Sequence, residues 1–313
     1  MLNIVGKRYW YFALSLLIII PGIIAMAISW SQHGSPVALG TDFTGGTEIT
    51  FTIPQQNQGT KISSVVGSVT GTVNYVQPVI SNNCCTYIAR THTITIPEYQ
   101  KIKDISAKTW KTGGPTQQTT TSGTIASSLT SQAIIAVIVA AIAILLYISF
   151  AFRHAPNPFR FGTAAVIAML HDVLVVLGLF SILGLIAHVE IDATFVTAML
   201  TIIGFSVHDT IVIFDRIREN LARRTDEPFA TVVNHSILQS FVRSINTSFT
   251  VVLTLLAVFL FTGESIRYFV LAMLIGIISG TYSSIFNASQ ILVVWHNHEL
   301  RRLFSRHEEP VAA

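Results

Sequence analysis

Charged residues are scarce in this chain: they fill only 11% of its 313 positions, against roughly a quarter in ordinary soluble domains. That excludes a conventional water-soluble globule as the whole molecule. The formal net charge of +3 is small and sits mostly in connecting segments, so the sequence offers no nucleic-acid partner. Cysteine is equally scarce. Cys84 and Cys85 are the only two, and neighbours in sequence bridge each other only with strain, so no disulfide framework is implied. We read them as small residues without a redox role, with an intermolecular bridge as the alternative. No metal or cofactor site is legible.

Apolar sequence is plentiful, at 51%, and it falls in long blocks. A membrane-spanning helix needs about 20 mostly apolar residues. Six stretches qualify: approximately 10–30, 132–152, 162–187, 193–214, 240–261 and 268–294. The expected class is therefore a polytopic α-helical membrane protein. Its divisions are 1–30 (N-terminus and first span), 31–131 (a polar domain and linker), 132–295 (spans two to six) and 296–313 (a tail).

Basic residues set the expected orientation. Lys7, Arg8, Arg153, Arg160, Arg216, Arg218, Arg223, Arg224, Arg301, Arg302 and Arg306 fall on one side of a six-span arrangement. The opposite loops, 188–192 and 262–267, hold only Arg267. Both termini are expected in the cytoplasm and the polar domain outside, since long loops translocate largely regardless of charge. The first span could also be a signal peptide, with Ala25-Met26-Ala27 as its cleavage site. Its apolar run is longer than a signal core, which favours an anchor.

Within the polar domain, Thr47–Ile53 alternates polar and apolar residues, the period of a half-buried strand, and Pro54 ends it. Thr72–Val76 and Thr86–Ile96 have strand character, 98–110 suits a short helix, and 112–124 reads as a flexible linker. Together these make a small α+β unit. Before it comes Leu39-Gly40-Thr41-Asp42-Phe43-Thr44-Gly45-Gly46. Asp42, Gly45 and Gly46 suit a turn with positive φ, where a hinge between anchor and domain would lie.

Ionisable groups inside spans are costly and are functional candidates by default. Span three holds His171-Asp172, span four His208-Asp209, and span five Arg243 and Asn246. Spans four and five are antiparallel neighbours, and at ~1.5 Å per residue Asp209 and Arg243 lie at matched depth. We expect them to pair, the alternative being that Arg243 snorkels to the headgroups. A carboxylate whose charge is disfavoured by burial and favoured by an arginine can switch protonation when that partner moves. A static pair that fixes packing is the competing reading. Gly276 and Gly280, with Ser283, Ser284 and Asn287, give span six a small polar face for close helix contact.

At this point the residues resemble a known family. Leu39–Gly46 with Thr47-Glu48-Ile49, Ala168–Asp172, Gly204–Asn220 and Arg243–Ser248 are similar to motifs of the SecD/SecF protein-export membrane proteins, on the SecF side. The fourth-span segment is the most specific. The resemblance implies a six-span half of an RND-type transporter with a ferredoxin-like extracytoplasmic domain, in the bacterial inner membrane. It implies SecD and the SecYEG channel as partners, and a translocating unfolded preprotein whose late export is driven by ion flow. Membrane lipid surrounds the spans. It also implies ion-coupling roles for the positions of Asp209 and Arg243, with Asp172 at a motif position too. One departure is His208, where the family usually has Asn; it titrates near neutrality and leaves proton and sodium both open.

Three other classes compete. A lipid or small-molecule exporter would call for a larger outer domain. An intramembrane aspartyl protease needs two carboxylates at one depth sharing a proton, whereas Asp172 and Asp209 differ by roughly 8 Å and no Gly-x-Gly-Asp is present. A purely structural membrane partner is the remaining alternative. None of the leading readings is enzymatic.

Overall fold

A computed structural model describes residues 3–71, 75–81, 84–111, 113–153, 155 and 157–297. The expected basic tail residues Arg301, Arg302 and Arg306, and the first half of the Thr72–Val76 strand, lie outside these, as do the Cys84 and Cys85 side chains. Six helices among the described residues are long and apolar enough to cross a membrane. They are α1 (Arg8–His33), α5 (Gly123–Ala151), α6 (Pro158–Ala187), α7 (Ala193–Arg223), α8 (Phe229–Phe261) and a sixth built in three parts. That sixth span is α9 (Glu264–Ser283), a π-helical turn (Ser284–Ala288) and α10 (Ser289–His296).

The helices begin earlier or run later than the apolar blocks alone suggest. α8 starts eleven residues before the expected position 240, because Val232, Val233, Ser236 and Ile237 bury one face of its first turns against the bundle. The helices α6, α7 and α9–α10 form the centre, with 44–61% of their most apolar windows buried, whereas α5 and α8 stand at the periphery with 6% and 11%. Their exposed apolar surface suits lipid or another membrane chain. α1 crosses α6 closely. A Cβ on Gly22 would lie 2.8 Å from the Gly178 Cα, so only glycine at that crossing lets the backbones meet.

Between α1 and α5 lies the α+β unit: a one-turn helix α2 (Thr41–Thr44), β1 (Gly46–Ile53), α3 (Gly59–Thr70), β2 (Tyr75–Ser81), β3 (Cys84–Thr91), α4 (Ile96–Thr109) and β4 (Gly114–Thr121). The sheet is antiparallel in the order β2-β3-β1-β4. The alternation in β1 places Ile49, Phe51 and Ile53 inward, against Ile62 and Val66 of α3 and Ile102 of α4. α4 opens on a carboxylate clamp, in which the Thr95 N–H and Oγ1 both donate to Glu98 Oε2, at 2.7 and 2.8 Å.

Two expectations are corrected here. Residues 114–121 are not a flexible linker but the edge strand β4, paired with β1 from Gly46↔Thr121 to Thr52↔Gly114. Its threonines are β-branched and suit a pleated surface; their polarity disguised them because an edge strand needs no apolar face. The strand expected over 86–96 stops at Thr91, because Ile96-Pro97 begins α4, where proline fits the first turn of a helix.

Candidate functional site: carboxylates in the helix bundle

Asp172, halfway along α6, is 1% exposed and is the most heavily bonded side chain in the bundle. Its Oδ2 accepts from Ser206 of α7 at 2.6 Å and Ser283 of α9 at 2.7 Å. Its Oδ1 accepts from Ser279 of α9 at 2.7 Å and lies 3.0 Å from His171 Nδ1. One carboxylate thus joins three helices. The glycines of α9 permit the approach. A Cβ on Gly276 would overlap the Ile202 side chain, and one on Gly280 would sit 3.1 Å from the Ser206 Cβ and 3.5 Å from Asp172 Oδ2.

Asp209, on α7, is 2% exposed but far less supported. Ser248 of α8 donates to its Oδ2 at 3.2 Å, and Thr281 of α9 donates to the Ser248 hydroxyl at 2.6 Å. The difference is one of geometry: four polar atoms from α6, α7 and α9 surround the Asp172 carboxylate, whereas one hydroxyl from α8 meets that of Asp209.

The expected pairing of Asp209 with Arg243 is not made. Arg243 is exposed and forms no ion pair among the described residues. The reason is helix phase. The buried stripe of α8 runs through Ser236, Ser240, Ser244 and Ser248, one residue in four, and Arg243 sits ~100° off it. The hairpin register agrees, because Asn220 Nδ2 donates to Ser236 at 2.9 Å; eleven residues back from Asn220 is Asp209, and twelve beyond Ser236 is Ser248. By the same count Arg243 lies level with Ile213, roughly 6 Å from the level of Asp209, so neither depth nor direction brings the two together.

His208 likewise points out of the bundle. It lies on an exposed α7 stripe of Thr194, Thr197, Thr201, Gly204 and His208, spaced three and four residues apart. On α8, Arg243, Asn246, Thr247, Thr250 and Thr254 make a second exposed polar stripe. Such spacing is that of a helix seam.

At the other end of α7, Asp42 Oδ2 accepts from the Ala193 N–H at 2.9 Å and Asp192 Oδ1 from the Phe195 N–H at 3.1 Å. Two carboxylates therefore occupy the positive end of the helix that carries Asp209. Gly45 and Gly46 have φ of +74° and +127°, and a Cβ at Gly46 would fall 2.6 Å from the Thr91 carbonyl oxygen. Residue types alone did not single out Ser206, Ser248, Ser279 or Thr281. The repeat of Gly276, Ser279, Gly280 and Ser283 on one α9 face was the available signal. Among the described residues, no three His, Cys, Asp or Glu side chains gather as metal ligands.

The fold and site together define a multi-pass membrane protein with an α+β domain inserted after its first span and paired acidic positions in its core. Residues 101–298 match the family model described as "Protein export membrane protein SecD/SecF, C-terminal". Over its full length the chain is 45% identical to all of the protein translocase subunit SecF of Thermobaculum terrenum and 41% identical to all of that of Anaerolinea thermophila. It superimposes on the crystal structure of SecDF, a translocon-associated membrane protein from Thermus thermophilus, with a TM-score of 0.81 at 30% identity, covering 95% of this chain and 39% of that one. The chain belongs to the SecD/SecF family.

Proposed function

We propose that this chain is an auxiliary subunit of the Sec protein translocase that, with a SecD partner, uses an ion gradient to promote late stages of preprotein export through SecYEG. The observation that carries the reading is the pair of exposed polar stripes on α7 and α8 beside a sparsely supported buried carboxylate. Lipid covers an arginine, an asparagine and a histidine poorly. A second six-span half covers them well, and the SecDF relatives, of which this chain spans 38–39%, have room for one. Arg243 then faces an acidic or polar group of that half, and Asp209 lies one residue from the seam. Relatives named as translocase subunits support a non-catalytic role.

The basic loops support cytoplasmic termini in the bacterial inner membrane, with residues 31–131 outside. The order β-α-β-β-α-β and the strand order β2-β3-β1-β4 support a ferredoxin-like outer domain. We assign Asp209 to ion coupling, with His208 and Arg243 at the seam, and Asp172 to the fixed scaffold around it. In proteoliposomes holding the chain, SecD and SecYEG, Asp209→Asn is expected to remove the gradient dependence of late export. Full retention of that dependence would overturn the assignment.

A further inference from the structure

The end of α7 opposite the basic loops touches the α+β domain by two links of different kinds. The first is backbone stitching. Gly40 N–H donates to the Ile191 oxygen and Ile191 N–H to the Ala38 oxygen, both at 2.9 Å, and the Asp42 carboxylate caps α7 two residues on. Among the described residues, none of these groups has another hydrogen-bond partner.

The second link is Arg90 of β3. Its Nε lies 3.2 Å from Glu190, in the short loop before α7, and 3.1 Å from Glu48, its cross-strand neighbour on β1. Its Nη1 donates to Gln77 on β2 at 3.2 Å. Arg90 is therefore held by one carboxylate inside the sheet and one across the domain boundary. If Glu190 departs, Arg90 keeps Glu48 and Gln77, so opening strands no buried cation. Beside the pair, Val37, Leu39 and Phe43 belong to the same apolar cluster as Val189, Ile191 and Phe195. Cavities of about 450 and 380 Å³ flank the pair, one lined by Thr44, Arg90, His188 and Glu190, the other by Thr50, Thr119, Glu190 and Tyr268.

We propose that Arg90–Glu190 is a releasable clasp, and the Ala38–Asp42 stitch to Ile191–Ala193 a fixed pivot, by which movement of the ion-site helix α7 is passed to the outer domain. The inference rests on the function proposed above and names its transmission. Glu48 and Glu190 compete for one arginine, and this makes the clasp distinguishable from mere packing. Removing Glu190 favours the open arrangement. Removing Glu48 takes away the fallback and favours the closed one. A purely structural cluster would loosen in both cases.

The test uses the full chain with its SecD partner in proteoliposomes, in a Cys84→Ser/Cys85→Ser background. Spin labels on the outer domain at Lys61 and on the loop side of α9 at Ile266 report the separation by pulsed dipolar spectroscopy. Glu190→Gln is expected to shift the distances longer and Glu48→Gln to narrow them at the short end; shifts of the same sign, or none, overturn the clasp. In parallel, Arg90→Cys/Glu190→Cys bridged by a short reducible bis-methanethiosulfonate is expected to lose gradient-dependent export and to regain it on reduction. Unchanged export in the bridged state overturns the coupling. Absence of gradient dependence in the Cys84→Ser/Cys85→Ser chain, which keeps Arg90 and Glu190, would instead overturn the function on which the clasp rests, while the distance measurement still decides whether the clasp opens.

Discussion

Asp172 and Asp209 lie in the same bundle and differ in what surrounds them. Asp172 accepts from hydroxyls on α7 and α9 and touches its own neighbour His171. Asp172→Ala would leave three buried hydroxyls facing a void, and we expect about 3 kcal/mol of lost stability in detergent. Asp172→Asn keeps an acceptor and should lose less, on the order of 1–2 kcal/mol; thermal unfolding of the two variants checks the order. Asp209 has one hydroxyl donor, itself steadied by Thr281. Sequence reading found both carboxylates because acid in a span is conspicuous. It ranked them without their donors, because serine is too common in membrane helices to signal which one it serves.

At the scale of elements, span number and order were legible because hydrophobic thickness imposes length. Helix phase was not. One residue separates Arg243 from the buried Ser244, and the apolar residues of α8 are spread too evenly around it to mark its inward face. The strand β4 was hidden for a related reason, since Thr and Gln at an edge look the same as a linker. Two predictions belong here. Gly276→Leu must push α9 away from Ile202, and we expect a loss of ~1–3 kcal/mol, seen as a lowered unfolding temperature of the purified subunit. In α4, the Thr95 N–H holds the exposed Glu98 carboxyl below its ordinary range, with the Thr95 hydroxyl adding to the effect. A depressed folded value means the clamp contributes at neutral pH and is lost as pH falls through the ordinary carboxyl range and below it. Amide exchange in the first turn of α4 should therefore accelerate in acid, and Glu98→Gln should flatten that dependence.

At the scale of the whole molecule, the chain reads as half of something. Its central helices are packed, while α5 and α8 present their faces outward, and two polar stripes on α7 and α8 are left uncovered. If Arg243 belongs to a seam, Arg243→Ala should weaken co-purification with SecD severalfold while leaving the unfolding temperature of the isolated chain unchanged; a fall in that temperature would place Arg243 in the internal fold instead. The α+β domain is tied to the start of α7 by Asp42 and to the loop before it by Arg90, so the helix that carries Asp209 also meets that domain.

On the proposed function, Asp209 carries the coupling ion. Its most direct test is ion flux through proteoliposomes containing only this chain and SecD, with an imposed proton or sodium gradient. The native pair is expected to dissipate one of the two gradients, and Asp209→Asn, assembled to the same level, is not. Equal flux through the native and Asp209→Asn complexes would remove Asp209 from the ion path.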